Sequence, residues 1–273
     1  MISVPKSYNY ISAFLTFACN MNCSYCINKS GELYDYTPMS GAEWIKGLNN
    51  IENRDIPITL SGGEPTVHPD FYDIANGVER DKDLLTNGNF NVDYFIKNIK
   101  YYKFYREHSP YACIRFSYHP GITNLRELLD KAKYLKNRGY LVGIWAVKHP
   151  DYEDDVDNAL RIAEDDYHLD FRIKEYLSST HGTYKYPEAL DGVAKSCECK
   201  PSELLIAPDG RLFRCHRDLY AGENSYGHIL FDNECIPSYF MPCDNMGQCN
   251  PCDIKQKFNR FQEEGHCSVE IKL

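Results

Sequence analysis

The chain has 273 residues, with 30 Lys and Arg against 39 Asp and Glu, a formal net charge of −9 at pH 7. That acidic balance, without a run of five basic residues, excludes tracking of nucleic-acid phosphates, and 43% hydrophobic residues exclude wholesale disorder. No apolar stretch approaches the roughly 18 residues of a membrane span, and Met1-Ile2-Ser3-Val4-Pro5-Lys6 lacks the pattern of a secretory signal. The expectation is therefore a cytoplasmic protein with neither nucleic-acid nor membrane partners.

Strand and helix signals alternate through the first two thirds of the chain. Tyr10 to Phe17 is a β-rich run that leads directly into three cysteines. Ser40-Gly41-Ala42-Glu43 is a capping box, opening a helix to about Asn53. Ile56 to Leu60 reads as a short strand stopping at Ser61-Gly62-Gly63, followed by a helix over 70–78. A strand over 83–86 stops at Asn87-Gly88, a helix covers 91–100, and Ala112 to Tyr118 is a strand ending before His119-Pro120-Gly121. Thr123 is expected to cap a helix ending at Gly139, with a strand over 140–147, a helix over 154–166 and a sixth strand over 169–176.

Six such units imply a parallel sheet with right-handed crossovers. A closed eightfold barrel takes about 250 residues, so the fold class is α/β, a partial (β/α)6 TIM-like barrel. Polar residues at the strand ends (Thr16, Ser61, Asn87, Ser117, Lys148 and Lys174) would face a common mouth. After Leu177 the texture changes to a turn-rich linker and a hairpin, Leu204 to Ala207 and Arg211 to Arg214 around Pro208-Asp209-Gly210. A helix over 251–264 closes a small cysteine-rich, hairpin-plus-helix domain. The expected division is 1–180 and 181–273.

Twelve cysteines in a chain that is neither small nor signal-bearing point to metal ligation rather than disulfides. Cys19-x3-Cys23-x2-Cys26 follows the first strand. Three thiolates on one [4Fe–4S] cube leave one iron without a protein ligand, an open position for a small molecule. A structural zinc knuckle short of its fourth ligand is the plainer alternative.

This spacing, with Tyr25 just before the last cysteine and Gly62-Gly63-Glu64-Pro65 after the second strand, resembles the radical S-adenosylmethionine (radical SAM) superfamily. The resemblance covers about residues 10–180. It implies a [4Fe–4S] cluster on Cys19, Cys23 and Cys26, and S-adenosylmethionine (SAM) held near Tyr25, Gly62, Gly63, Glu64, Pro65, Asn87 and Ser117. Reductive cleavage to a 5′-deoxyadenosyl radical would follow, fed by an external one-electron donor such as flavodoxin or ferredoxin.

Cys199, ten residues, Gly210, four residues and Cys215 frame the hairpin. The pattern resembles the auxiliary-cluster domains called SPASM and twitch, which implies one or two auxiliary [4Fe–4S] clusters. Downstream, Cys235, Cys243, Cys249, Cys252 and Cys267 are spaced x7, x5, x2 and x14, and Phe240 stands where SPASM has a cysteine. Two ligand sets stay open. One is Cys199, Cys215, Cys249 and Cys252; the other is Cys197, Cys199, Cys215 and Cys252, with a second cluster on Cys235, Cys243, Cys249 and Cys267. A zinc-ribbon-like site is the plainer alternative.

Strand parity places Cys113 on the face of Ser117, where a thiol could return a hydrogen atom, against the plainer role of a buried free cysteine. Arg172 could bind substrate or the SAM carboxylate, and His216 could be a base near an auxiliary cluster. The expected activity is oxidation of a small molecule such as a sugar or cyclitol, with an auxiliary cluster as electron acceptor. A first strand starting near residue 10 leaves no room in front for a leader-binding module. The alternatives are a peptide maturase that cross-links or epimerises, and a non-enzymatic electron carrier or metal-stabilised binding protein.

Overall fold

The computed structural model describes residues 1–26, 28, 33–52, 55–176, 193–231, 235–249, 256–257 and 266–273. Its first part alternates β1 (Tyr10–Thr16), α1 (Gly41–Asn49), β2 (Ile58–Gly62), α2 (Phe71–Gly77), β3 (Lys82–Thr86) and α3 (Val92–Asn98). It continues through β4 (Ile114–Tyr118), α4 (Leu125–Lys136), β5 (Val142–Lys148), α5 (Glu153–Asp165) and β6 (Asp170–Glu175). β1 to β6 lie side by side in chain order, parallel throughout. This is the expected α/β partial barrel.

Parity along the strands separates two unlike faces. The register pairs Ile11 with Ile58, Ala13 with Leu60, Leu60 with Leu84 and Leu84 with Ile114. These apolar side chains join Trp44, Leu48, Ile74, Leu129, Leu135 and Val156 from the helices in one buried core. The alternate positions are polar: Ser12 stands beside Thr59, Thr59 beside Asp83, and Ser117 beside Trp145, which in turn neighbours Arg172. On that face the Ser12 and Ser61 hydroxyls are 2.8 Å apart, and Arg115 donates to the Thr59 hydroxyl at 3.0 Å. The helices cover one face, so the other is left for the lumen.

Local signals behave mostly as expected. Ser40 Oγ accepts from Glu43 N at 3.4 Å while Glu43 accepts from Ser40 N at 2.8 Å, closing the capping box on α1. The cap of α4 is Asn124, not Thr123. Asn124 Oδ1 accepts from Glu127 N at 3.2 Å, and the Thr123 hydroxyl instead takes the His119 N–H at 3.3 Å.

The later elements are β7 (Lys195–Pro201), β8 (Glu203–Ile206), β9 (Arg211–Phe213), α6 (His216–Ala221) and β10 (Gly227–His228), then β11 (Met241–Met246), β12 (Gln256–Lys257), β13 (His266–Cys267) and β14 (Val269–Lys272). β8 and β9 form the expected hairpin, with Gly210 at φ +83° in its turn. The hairpin is not separate, however: β8 pairs in parallel with β1, from Tyr10 beside Glu203 to Ala13 beside Ile206. The result is a nine-stranded sheet ordered β10-β9-β8-β1-β2-β3-β4-β5-β6. Leu204, Ile206 and Leu212 therefore share the main core, and residue 180 is not a boundary of the sheet.

β11, β7 and β14 make a second, antiparallel sheet, and β12 pairs with β13. Of the helix expected over 251–264, only Gln256 and Lys257 are described, and they are strand; the rest lies outside the described residues. Among the described residues no helix is long and apolar enough to cross a membrane.

Candidate functional site

The loop carrying Cys19, Cys23 and Cys26 leaves the carboxyl end of β1 and is held by the ends of β2 and β3. Gly63 N donates to Thr16 O at 2.7 Å, and Glu64 N to Ala18 O at 2.9 Å. A Cβ on Gly62, whose φ is +137°, would lie 2.2 Å from Thr16 O, and one on Gly63 would lie 2.3 Å from Ala18 O. The two glycines thus admit the backbone that begins the cysteine loop.

Glu64 is buried, with both carboxylate oxygens engaged. Oε1 accepts from Thr66 N at 3.1 Å, the Thr66 hydroxyl at 2.6 Å and the Thr86 hydroxyl at 2.7 Å; Oε2 accepts from Asn87 N at 2.7 Å. Burial pushes its pKa above the usual carboxylate value, against the downward pull of those hydrogen bonds. The carboxylate joins the turns after β2 and β3.

From β3, Asn87 Nδ2 lies 3.7 Å from Cys19 Sγ and donates to Asn20 Oδ1 at 2.7 Å. Asn28 Nδ2 donates to Gly62 O at 3.0 Å. On the other side, the Tyr25 hydroxyl is 3.0 Å from His119 Nδ1, just past β4. The Tyr25 ring lies 5.2 Å from that of His149, which packs on Tyr176 at 4.5 Å. Burial and the neighbouring Cys23 thiol raise the Tyr25 pKa, and burial lowers that of His119. The sequence named Tyr25, Asn87 and the glycines, and the structure brings them together. It did not single out His119 or His149; their place one residue beyond β4 and β5 is the signal that marks them. Ser117 is half-buried, beside Trp145 on the lumen face.

The second cysteine region converges on one cleft. Cys197 and Cys199 alternate on β7, with Cys243 of β11 directly opposite Cys197. Cys215 stands at the start of α6, and the Cys249 thiol donates to Asn245 O at 3.4 Å. All five line the cleft, with Arg214, Arg217 and Asp218 on one wall and Met246, Val269 and Ile271 on another. Burial and the adjacent Cys243 push the Cys197 thiol up to about 11. Cys249 thus meets Cys199 and Cys215, as in the first of the two ligand sets, and Cys243, which the other set gives to a second cluster, lines the same cleft. Cys235 is exposed and outside the lining. Cys252 and the Cys267 side chain lie outside the described residues.

Of the three expected catalytic residues, Cys113 and Arg172 lie away from the mouth. Cys113 lies in a bend just before β4, part of the main core with no exposed surface, near Asp83 and Arg106. At about 3.3 Å per residue it lies roughly 13 Å below Ser117, too deep to serve the mouth. Arg172 is tied near the amino-terminal end of β6, donating to the Asp170 carboxylate at 2.9 Å and to Pro110 O at 2.7 Å. His216, next to Cys215 of the auxiliary cleft, is buried, its ring 5.8 Å from Phe14 and 6.0 Å from Tyr220.

Among the described residues no three His, Cys, Asp or Glu side chains converge closely enough to hold a single metal ion. A [4Fe–4S] cube binds its cysteines through separate irons. Its ligands are therefore spread, and the soft thiol donors of both regions fit it chemically.

Residues 14–104 match the radical SAM superfamily model. The chain is 33% identical over 63 residues to mycofactocin maturase MftC of Mycobacterium ulcerans, covering 23% of this chain and 17% of that protein. It is 31% identical over 93 residues to 7-carboxy-7-deazaguanine synthase of Clostridium acetobutylicum, covering 32% and 41%. The chain thus spans less than half the length of these curated relatives. Streptococcus suis SuiB bound to S-adenosylmethionine superposes with a TM-score of 0.53 at 14% identity, covering 85% of this chain and 65% of that one. At that identity the likeness shows the fold.

Proposed function

The chain carries a radical SAM domain, and from that premise we propose that it cleaves S-adenosylmethionine and oxidises a small hydroxylated substrate such as a sugar or cyclitol. One observation carries the reading: the three-cysteine loop is hydrogen-bonded to the Gly62-Gly63 turn and packed against Asn87 at the carboxyl end of the sheet, where such folds place chemistry. Cys19, Cys23 and Cys26 hold the cluster, which, when bound, supplies the electron that releases a 5′-deoxyadenosyl radical from SAM.

The protein's own share is placement and exclusion of water. Glu64 fixes the turns after β2 and β3 relative to each other. Tyr25, His149 and Tyr176 form one aromatic side of the mouth, and Ser117 and Asn87 offer polar contacts to the nucleotide. Residues 181–273 supply an auxiliary [4Fe–4S] cluster in the cleft lined by Cys197, Cys199, Cys215, Cys243 and Cys249, as electron acceptor. The electron for a cluster held by Cys19, Cys23 and Cys26 would come from a flavodoxin- or ferredoxin-type donor.

A peptide substrate is the second reading, favoured by the 63-residue match to mycofactocin maturase MftC. Anaerobically reconstituted protein given dithionite and SAM yields 5′-deoxyadenosine; none would leave the electron-carrier alternative standing. Deuterated cell extract, split by size, separates the substrate classes. Deuterium entering 5′-deoxyadenosine from the small-molecule fraction supports oxidation of a metabolite, whereas deuterium only from the polypeptide fraction overturns it.

A further inference from the structure

The auxiliary cleft has a wall whose charge the ligand chemistry does not require. Arg214 precedes Cys215 and is buried, its Nε donating to Asp218 Oδ2 at 2.8 Å and its Nη1 to Pro242 O at 2.8 Å. Arg217 donates to the other Asp218 oxygen at 2.9 Å. Two guanidinium groups therefore share one buried carboxylate. Arg217 also pairs with Glu223 at 2.7 Å, and both side chains reach solvent, 32% and 56% exposed, so their pair is screened and Arg214 is the buried cation of the wall. The cleft is also lined by Met246, Val269 and Ile271, apolar side chains that cannot screen a charge in it.

A [4Fe–4S] cube with four thiolate ligands is anionic, and each added electron makes it more so. Net charge and its surroundings set where in the wide range of cluster potentials it falls. A fixed cation held against such a site in low dielectric stabilises the reduced form most. We propose that Arg214 raises the reduction potential of the cluster bound in this cleft, fitting that cluster to accept an electron. The proposal rests on the auxiliary-cluster reading above. Arg214 acts through its field and is not a ligand. A merely structural role, tying α6 to β11 through Asp218 and Pro242, would leave the potential unchanged.

The test is an EPR-monitored titration with dithionite of anaerobically reconstituted protein, Arg214→Gln and Arg214→Lys, with iron counted in each. In the titration one electron passes from dithionite to the cluster irons, and no protein bond forms or breaks. The proposal expects equal iron in all three, a more negative midpoint for Arg214→Gln and a near-native one for Arg214→Lys. A native midpoint in fully loaded Arg214→Gln overturns it. If Arg214→Gln fails to hold its iron, Arg217→Gln takes its place, since it too lowers the charge of the wall. A smaller negative shift then supports the proposal and no shift overturns it. Failure of the underlying reading looks different: unmodified protein would hold about four irons per chain, all lost in Cys19→Ser.

Discussion

Gly63→Ala tests whether the Gly-Gly turn serves the cysteine loop. The new Cβ would lie 2.3 Å from Ala18 O and 2.5 Å from Phe17 O, both backbone atoms that no rotamer change can move aside. Restoring ordinary contact takes a separation of roughly 1 Å. That displacement carries Gly63 N and Glu64 N out of range of Thr16 O and Ala18 O, now 2.7 and 2.9 Å away. Two lost hydrogen bonds cost about 1–3 kcal/mol net, and residual overpacking adds about 1–3 kcal/mol. The expected loss is about 2–6 kcal/mol in urea titration, with faster release of the amino-terminal cluster's iron to a chelator. Gly77→Ala is the control, because its Cβ would meet only the Ile45 side chain at 2.6 Å, whose end can swing away. If Gly63→Ala is no less stable than Gly77→Ala and keeps its iron as well as native protein does, the turn does not position the loop.

Cys113→Ala separates core from chemistry. It should cost about 1–2 kcal/mol, the scale of a small buried deletion, while substrate-derived product formed per 5′-deoxyadenosine stays native; a fall in that ratio in folded protein would restore a hydrogen-donor role to the thiol. His119→Gln bears on acid stability. Burial lowers the folded pKa of His119 below 6.5, so the unfolded chain takes the proton first and stability falls as pH drops from about 6.5 toward the folded value. One such group contributes at most about 1.4 kcal/mol per pH unit. The variant should show a flatter fall in urea midpoint over that window, and an unchanged slope would refute the assignment.

Signals that are short in sequence were legible. The Ser40–Glu43 box, the turn at Gly210 and the order of six parallel strands needed only local chemistry and the rule of right-handed crossovers. Parity put Cys113 on the face of Ser117, but parity holds only within a strand, and Cys113 sits in the bend before β4 as part of the main core. The Gly-Gly-Glu-Pro pattern named Glu64 without naming its partners, because the donors from Thr86 and Asn87 come from the next strand. The pairing of β8 with β1 joins Tyr10 to Glu203, and no local pattern encodes an edge so distant in the chain. Cys243 opposite Cys197 is hidden for the same reason. Spacing counts residues along one strand, while a cross-strand neighbour is set by register.

That distant pairing determines how the two cysteine regions relate. β1 sits between β2 and β8, so the strand that launches Cys19, Cys23 and Cys26 is flanked by the hairpin that leads to Cys215. Phe14 and Phe17 of β1 and the loop after it pack with Phe213, Leu219 and Tyr220 in a buried cluster, against which Tyr34 and Tyr36 lean. A hydrogen-bonded chain crosses the same gap: the Tyr220 hydroxyl donates to Asn28 Oδ1, and Asn28 Nδ2 donates to Gly62 O. The helix after Cys215 is thereby fixed to the residue two beyond Cys26 and to the turn that seats the first loop. Deleting the Tyr220 hydroxyl would break that chain while sparing the apolar contacts, so any coupling between the regions that runs through it is separable from simple packing.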